Sequence, residues 1–289
     1  MHVVVSGGTG FLGAPLVRAL LAGGDTVTVL TREPSRAGRM FEGRVATATA
    51  DNLPDRFDAV VGLAGENIGR RWSPAVLQRL RESRVGPTRL LREAAEQRGA
   101  QVLVSASGVD WYAPGADHEL DEDAPPGNGF LARLCHDWEQ AASSSRLRSV
   151  ALRLGMVLGS GGALARMLPF FRCGLGGPLG NGRQFVSWIH LQDAVSLILW
   201  ALRNAAVRGA LNATAPEPVT SREFARTLGR VLRRPAFLPV PGFALRLLYG
   251  GFGKVLLESR RVVPRAATAQ GFEFGFMRLE QALREILVG

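Results

Sequence analysis

The chain has 289 residues, 46% of them hydrophobic, enough for one sizeable core or two closely joined lobes and too apolar for disorder. Its formal charge of +10 comes almost wholly from arginine, since Lys254 is the single lysine, and the arginines form no run along the sequence. That spread, with no recognised binding motif and no interleaved aromatics, argues against nucleic acid and for a small anionic or polar ligand.

Residues 2–6, HVVVS, read as a first strand, with none of the basic, apolar and cleavage regions of a secretory signal. The longest apolar stretch, AVSLILWAL at 194–202, is too short to span a bilayer. Cys135 and Cys173 have neither metal-ligand spacing nor partners for a disulfide framework, so no metal is expected and a reducing cytoplasm is the natural compartment.

Between the first strand and the helical FLGAPLVRALLAG lies SGGTGFLG (6–13). Gly8, Gly10 and Gly13 give G-x-G-x-x-G, and Gly7 extends the pattern backwards. Glycines there allow a tight turn, close approach of backbone to a pyrophosphate, and packing of helix on strand. The amides of Gly7, Gly8, Thr9, Gly10, Phe11, Leu12 and Gly13 would meet the phosphates at the positive end of the helix. After the second strand, TVTVL, an acid would select NAD; here Thr31-Arg32 follow, with Arg36 nearby. Arginines suit a 2′-phosphate, so NADP (NADPH) is expected and NAD disfavoured, although a Glu33 carboxylate turned toward the ribose would soften that choice.

Strand-like DAVVGLA, QVLVSAS and SVALRLGMVL alternate with helical stretches, among them SPAVLQRLRESRVGPTRLLREAAEQRG (73–99) and GFLARLCHDWE (129–139). This alternation predicts an α/β fold, a doubly wound parallel sheet of Rossmann type over residues 1–160. After that the sequence turns Gly- and Pro-rich, as in SGGALARMLPFFRCGLGGPLGNGRQ, and a smaller C-terminal substrate lobe is expected over 161–289, with about 187–213 returning to the first domain.

With SGGTGFLG, DAVVGLAG and VSASGVDWY (104–112), the chain resembles the extended short-chain dehydrogenase/reductase superfamily. More narrowly, GENIGRRW (65–72), RESRVGPT (81–88), GGPLGNGRQFVSWIHLQD (176–193), NATAPEPVTSREF (212–224) and RVVPRAATAQGFEF (261–274) are similar to the NAD-dependent epimerase/dehydratase-like "epimerase family" proteins that have a C-terminal domain of unknown function. The resemblance implies that Leu63, Ala64 and Gly65 close the fourth strand beside the cofactor and that Asp51 and Asn52 lie near its adenine. Ser107 takes the position of the superfamily's catalytic Ser/Thr. The Tyr-x-x-x-Lys pair that should follow falls on Leu131 and Cys135, and it exists nowhere else: the residues four beyond the only tyrosines, Tyr112 and Tyr249, are Ala116 and Gly253.

Of the groups that could exchange a proton instead, Tyr112, five residues after Ser107, is the first choice, as a donor with a pKa near about 10. Glu66 is a carboxylate at the cofactor rim that could act as base or serve the loop. Cys135 and His136 are adjacent on a helix and do not share a face. The substrate set is then Glu66, Asn67 and Arg71 after the fourth strand, with Arg183 and Trp188 closing over the same crevice from the second lobe. Two functions follow: an NADP(H)-dependent oxidoreductase or epimerase acting on a small polar substrate, or a non-catalytic NADP(H)-dependent sensor or partner-binding protein. A homodimer is left open.

Overall fold

The computed structural model describes residues 1–115 and 118–288. Its first part runs β1 (His2–Ser6), α1 (Gly13–Ala22), β2 (Thr26–Leu30), α2 (Pro34–Met40), β3 (Ala46–Ala48), β4 (Ala59–Gly62), α3 (Pro74–Glu82), α4 (Val85–Gln97), β5 (Val102–Gly108), α5 (Phe130–Ala142) and β6 (Arg148–Leu154). These strands, with the later β10 (Gly209–Ala213), form a seven-stranded sheet in the order β10-β6-β5-β4-β1-β2-β3, every neighbouring pair parallel. The order reverses between β1 and β4, and ligands of such sheets bind in the crevice beyond the strand ends at that point.

The inner strands are apolar on both faces because helices cover both. Val3, Val5, Val61 and Val104 pack against α1 and α7, whereas Val4, Val60 and Leu103 meet Leu91, Ala94 and Ala95 of α4 on the other side. Two elements differ from the sequence reading. The helical stretch 73–99 breaks at Ser83–Arg84, where the Arg84 side chain turns inward to bond the carbonyls of Glu66 and Leu80. The strand read over 149–158 divides at Gly155: β6 stays in the main sheet, and β7 (Met156–Leu158) leaves it to pair with β9.

The remainder comprises α6 (Gly162–Arg172), β8 (Phe185–Val186), β9 (Trp188–His190), α7 (Leu191–Arg203), β10 (Gly209–Ala213), β11 (Val219–Thr220), α8 (Ser221–Leu232), α9 (Gly242–Tyr249), α10 (Gly251–Val255), α11 (Arg265–Ala269) and α12 (Leu279–Val288). Helix α7 covers the main sheet and β10 adds its edge strand. A second core, built on Leu164, Leu168, Trp188, Phe224, Leu228 and Leu283, holds α6, α8 and α12 together. Trp188 corrects an expectation here: it is fully buried in this core, its indole N–H donating to the Glu217 carbonyl at 3.0 Å, and it faces no crevice. Among the described residues, no helix is long and apolar enough to cross a membrane.

His190 ties the C-terminal helix to this core. Its Nδ1 accepts the Gln192 amide, its Nε2 lies 2.9 Å from Glu285 of α12, and its ring lies against Phe276. Burial pushes the imidazole below its ordinary pKa, although Glu285 pulls the other way. The folded protein therefore binds fewer protons here than the unfolded chain. The associated stability is fully present above the unfolded value of about 6.5 and is lost as pH falls below it. Urea unfolding at neutral and mildly acidic pH should show a fall in stability that is smaller in His190→Gln; identical pH dependences would refute this assignment.

Candidate cofactor and substrate site

The loop between β1 and α1 is built as a cradle. Gly7 adopts φ +70°, and a Cβ there would stand 2.8 Å from the Ala64 nitrogen, so the loop lies directly on the backbone that leaves β4. A Cβ on Gly13 would stand 2.1 Å from the Gly7 carbonyl oxygen. No side chain caps the first turn of α1; the Ala14 and Leu16 amides are bonded to the Gly10 and Leu12 carbonyls and Pro15 has none, so the Gly13 amide is the one this turn leaves unbonded at the β1/β4 reversal. Thr9, Gly10 and Leu12 complete the turn, closed by a 2.9 Å bond from Gly10 N–H to the Gly7 carbonyl. Phe11 does something the sequence does not announce: its ring lies against Gly159 and Gly161, between β7 and α6, and against Gly162 at the start of α6.

At the end of β2, Thr31 Oγ accepts the Glu33 amide, and the Glu33 carboxylate pairs with Arg36 at 3.5 Å. Glu33 is thereby turned to its own helix. Arg32 is exposed and forms no ion pair among the described residues, which leaves its guanidinium free for an anion. Asp51 and Asn52 are exposed beyond β3, and Leu63 and Ala64 are half-buried beneath the cradle with Gly65 exposed beside them.

Beyond β4 the loop GENIGRRW is fixed largely by its own bonds. Glu66 Oε2 lies 3.2 Å from Arg70 and 4.0 Å from Arg79. Asn67 Oδ1 accepts the Gly69 amide at 2.8 Å, and Arg71 donates to the Leu247 carbonyl of α9. Arg166 of α6 donates to the Gly69 carbonyl at 2.7 Å, and the Trp72 ring lies 5.7 Å from that of Phe252. The structure brings Glu66, Asn67 and Arg71 together on one loop clamped by the second lobe. It does not bring Arg183 to them, because Arg183 lines a separate concavity with α8.

The end of β5 is where the superfamily resemblance expects a Tyr-Lys relay. Leu131, Cys135 and Glu139 are spaced four apart and so share one face of α5. Ser107 Oγ donates to Glu139 Oε1 at 2.7 Å. Arg153 of β6, paired in register with Ser107, grips both oxygens of the same carboxylate at 2.9 and 3.0 Å. Cys135 is buried, and desolvation with Asp110 beside it pushes its thiol up to about 12, which makes it inert as a nucleophile.

Tyr112 corrects the sequence expectation. Its side chain is fully buried; the hydroxyl donates to Asn212 Oδ1 at 2.7 Å and accepts from Arg153 at 2.9 Å. Burial pushes the phenol up to about 12, with Arg153 holding it partly down. It is a structural tyrosine with both hydrogen-bonding functions in use. Around it the C-terminal segment is stitched in: Arg260 donates to the Tyr112 carbonyl and pairs with Asp110, and the two Glu122 oxygens accept the amides of Asn212 and Ala266. Sequence reasoning missed Glu139, Arg153, Asn212 and Glu122. Glu139 was within reach, as it continues the Leu131–Cys135 spacing by one further turn.

Residues 3–213 match the NAD dependent epimerase/dehydratase family. The chain belongs to that family. Residues 240–286 match a domain of unknown function, and this region contains the segment stitched around Tyr112. A mouse epimerase family protein, SDR39U1, is 40% identical over 99% of this chain and 100% of its own length. An Arabidopsis thaliana homolog of that protein, described as chloroplastic, is 41% identical over 99% of this chain and 87% of its own. The crystal structure of human SDR39U1 with NADPH superposes with a TM-score of 0.92 at 39% identity, covering both chains fully. UDP-glucuronic acid 4-epimerase from Bacillus cereus, at 17% identity and a TM-score of 0.79, shares the fold.

Two stability effects follow for this epimerase-family chain. Gly13→Ala should cost about 1–3 kcal/mol or more, because the methyl group overlaps rigid backbone. Tyr112→Phe should cost about 1–3 kcal/mol, because Asn212 and Arg153 lose a buried partner. Denaturant unfolding measures both, and a neutral Tyr112→Phe would contradict the structural role.

Proposed function

We propose that this chain binds NADP(H) and acts as an atypical short-chain dehydrogenase/reductase, an oxidoreductase or epimerase on a small polar or anionic substrate, without a Tyr-Lys relay. The observation that carries the reading is the sealed glycine cradle at the sheet's reversal point together with the unpaired Arg32 beside it. The NADPH in the related human structure supports the same choice of cofactor. Gly7 to Gly13 would hold the pyrophosphate, Arg32 the 2′-phosphate, Asp51 and Asn52 the adenine side, and Leu63 to Gly65 the floor.

A nicotinamide supplies or accepts hydride when bound. Ser107 is the residue we assign to the substrate. Its proton is committed to Glu139, whose carboxylate pairs with Arg153, so the oxygen presents lone pairs and accepts a hydrogen bond from a substrate hydroxyl. No lysine lowers a phenol toward neutrality here, and Glu66 is paired with Arg70 on its clamped loop. A second reading, an NADP(H)-dependent sensor or partner-binding protein, is favoured by the same network, since every proton-exchanging side chain around Ser107 is tied inward. Free thiols at Cys135 and Cys173 suit a reducing compartment, and we place the chain in the cytoplasm.

Fluorescence titration should show tighter binding of NADPH than NADH. Arg32→Ala should weaken NADPH by about tenfold or more and leave NADH unchanged. Equal affinities in the wild type would overturn the cofactor choice. NADPH consumption over a panel of small carbonyl compounds should fall in Ser107→Ala; no consumption by wild-type protein that binds NADPH selects the sensor reading.

A further inference from the structure

Arginines dispersed in the sequence converge along α8 of the second lobe. Arg222, Arg226 and Arg230 recur every four residues along α8, about 6 Å apart per step. With Arg183 and Arg234 they line one concavity of about 760 Å³, within the size range of small-molecule sites. It shares no lining residue with the glycine cradle or the end of β5.

The core does not require these charges. Helix α8 buries Phe224, Ala225, Leu228 and Val231, and it is capped by the reciprocal Thr220–Glu223 bonds. Like charges four apart on a helix weaken it slightly, and only two of the three helix arginines have partners in the fold. Arg230 is neutralised by Glu280, and Arg222 donates to the Asn181 carbonyl. The side chains of Arg183, Arg226 and Arg234 have neither an ion pair nor a hydrogen bond among the described residues. Arg233 takes the left-handed conformation, φ 54°, at the end of α8, and the chain reverses there to bring Arg234 back to the concavity. Apolar Pro178, Pro239 and Phe237 complete the lining, Phe237 being 72% exposed.

We propose that this concavity is a second ligand site, for a nucleoside polyphosphate, with the phosphates on Arg183, Arg226 and Arg234 and the base on Phe237. Guanidiniums pair with phosphoryl oxygens through charge-assisted, often bidentate bonds, and an exposed ring beside them suits a planar heterocycle. Free guanidiniums from three places, the loop before β8, helix α8 and the turn after it, match a chain of phosphates better than a single ion. The concavity is open to solvent but bounded, and its free guanidiniums are few, which suits a small ligand better than a nucleic-acid strand, which needs a continuing groove.

Calorimetric titration of ATP into the full chain saturated with NADPH tests this. ATP should bind without displacing NADPH, and Arg226→Ala/Arg234→Ala should weaken it about tenfold or more while NADPH affinity is unchanged. Phe237→Ala should reduce ATP to the affinity of inorganic tripolyphosphate. The proposal fails if wild-type protein takes up no ATP, if ATP binds only by displacing NADPH, or if the double variant binds it equally. It also fails if a single-stranded RNA oligonucleotide binds more tightly than ATP and is lost in the same variant, which would make the face a nucleic-acid surface. The comparison of wild type and variant reads the same without NADPH, so its outcome is independent of the cofactor assignment.

Discussion

The Arg153–Glu139 pair governs the interior of this protein. Two opposite charges, each nearly enclosed, are tolerable only when every remaining bonding position is filled. Here Ser107 fills one on the carboxylate side, and the Tyr112 hydroxyl and the Glu122 carbonyl fill those on the guanidinium side. The Trp111 ring, 4.0 Å from the guanidinium, closes the remaining face. Removing either charge would strand the other in a low-dielectric interior. The residues around β5 and β6 are therefore fixed as a set rather than one by one.

This constraint explains why the missing Tyr-Lys pair has left no gap. Leu131 and Cys135 are apolar or inert on the face of α5, and the polar work moves one turn along to Glu139. The segment 259–266 then covers Tyr112 from outside, through Arg260 and through the Ala266 amide on Glu122. The C-terminal domain thus takes part in building the end of β5 as well as in shaping a lobe.

How much of this could be read from the sequence depended on distance along the chain. The glycine cradle, the five inner strands and the helix at 130 follow from local pattern, because turn chemistry and period-two or helical spacing act within a few residues. The break at Arg84 was hidden because its cause is a carbonyl at Glu66, eighteen residues earlier. Tyr112 was misread for the same reason: its partner Asn212 lies one hundred residues away, and proximity to Ser107 suggested an open position that Arg153 and Asn212 enclose. Trp188 looked like an aromatic wall of a crevice because burial in a second core leaves no local mark. The arginines looked scattered because a helix gathers every fourth residue on one face.

Phe11 belongs to the glycine loop by sequence and to the second lobe by contact. Its ring rests on Gly159, Gly161 and Gly162, where an added side chain would collide with it. Any change in the shape of the loop at Phe11 must therefore be matched by repacking at the entry to α6. One aromatic ring thereby fastens the glycine turn to the second lobe.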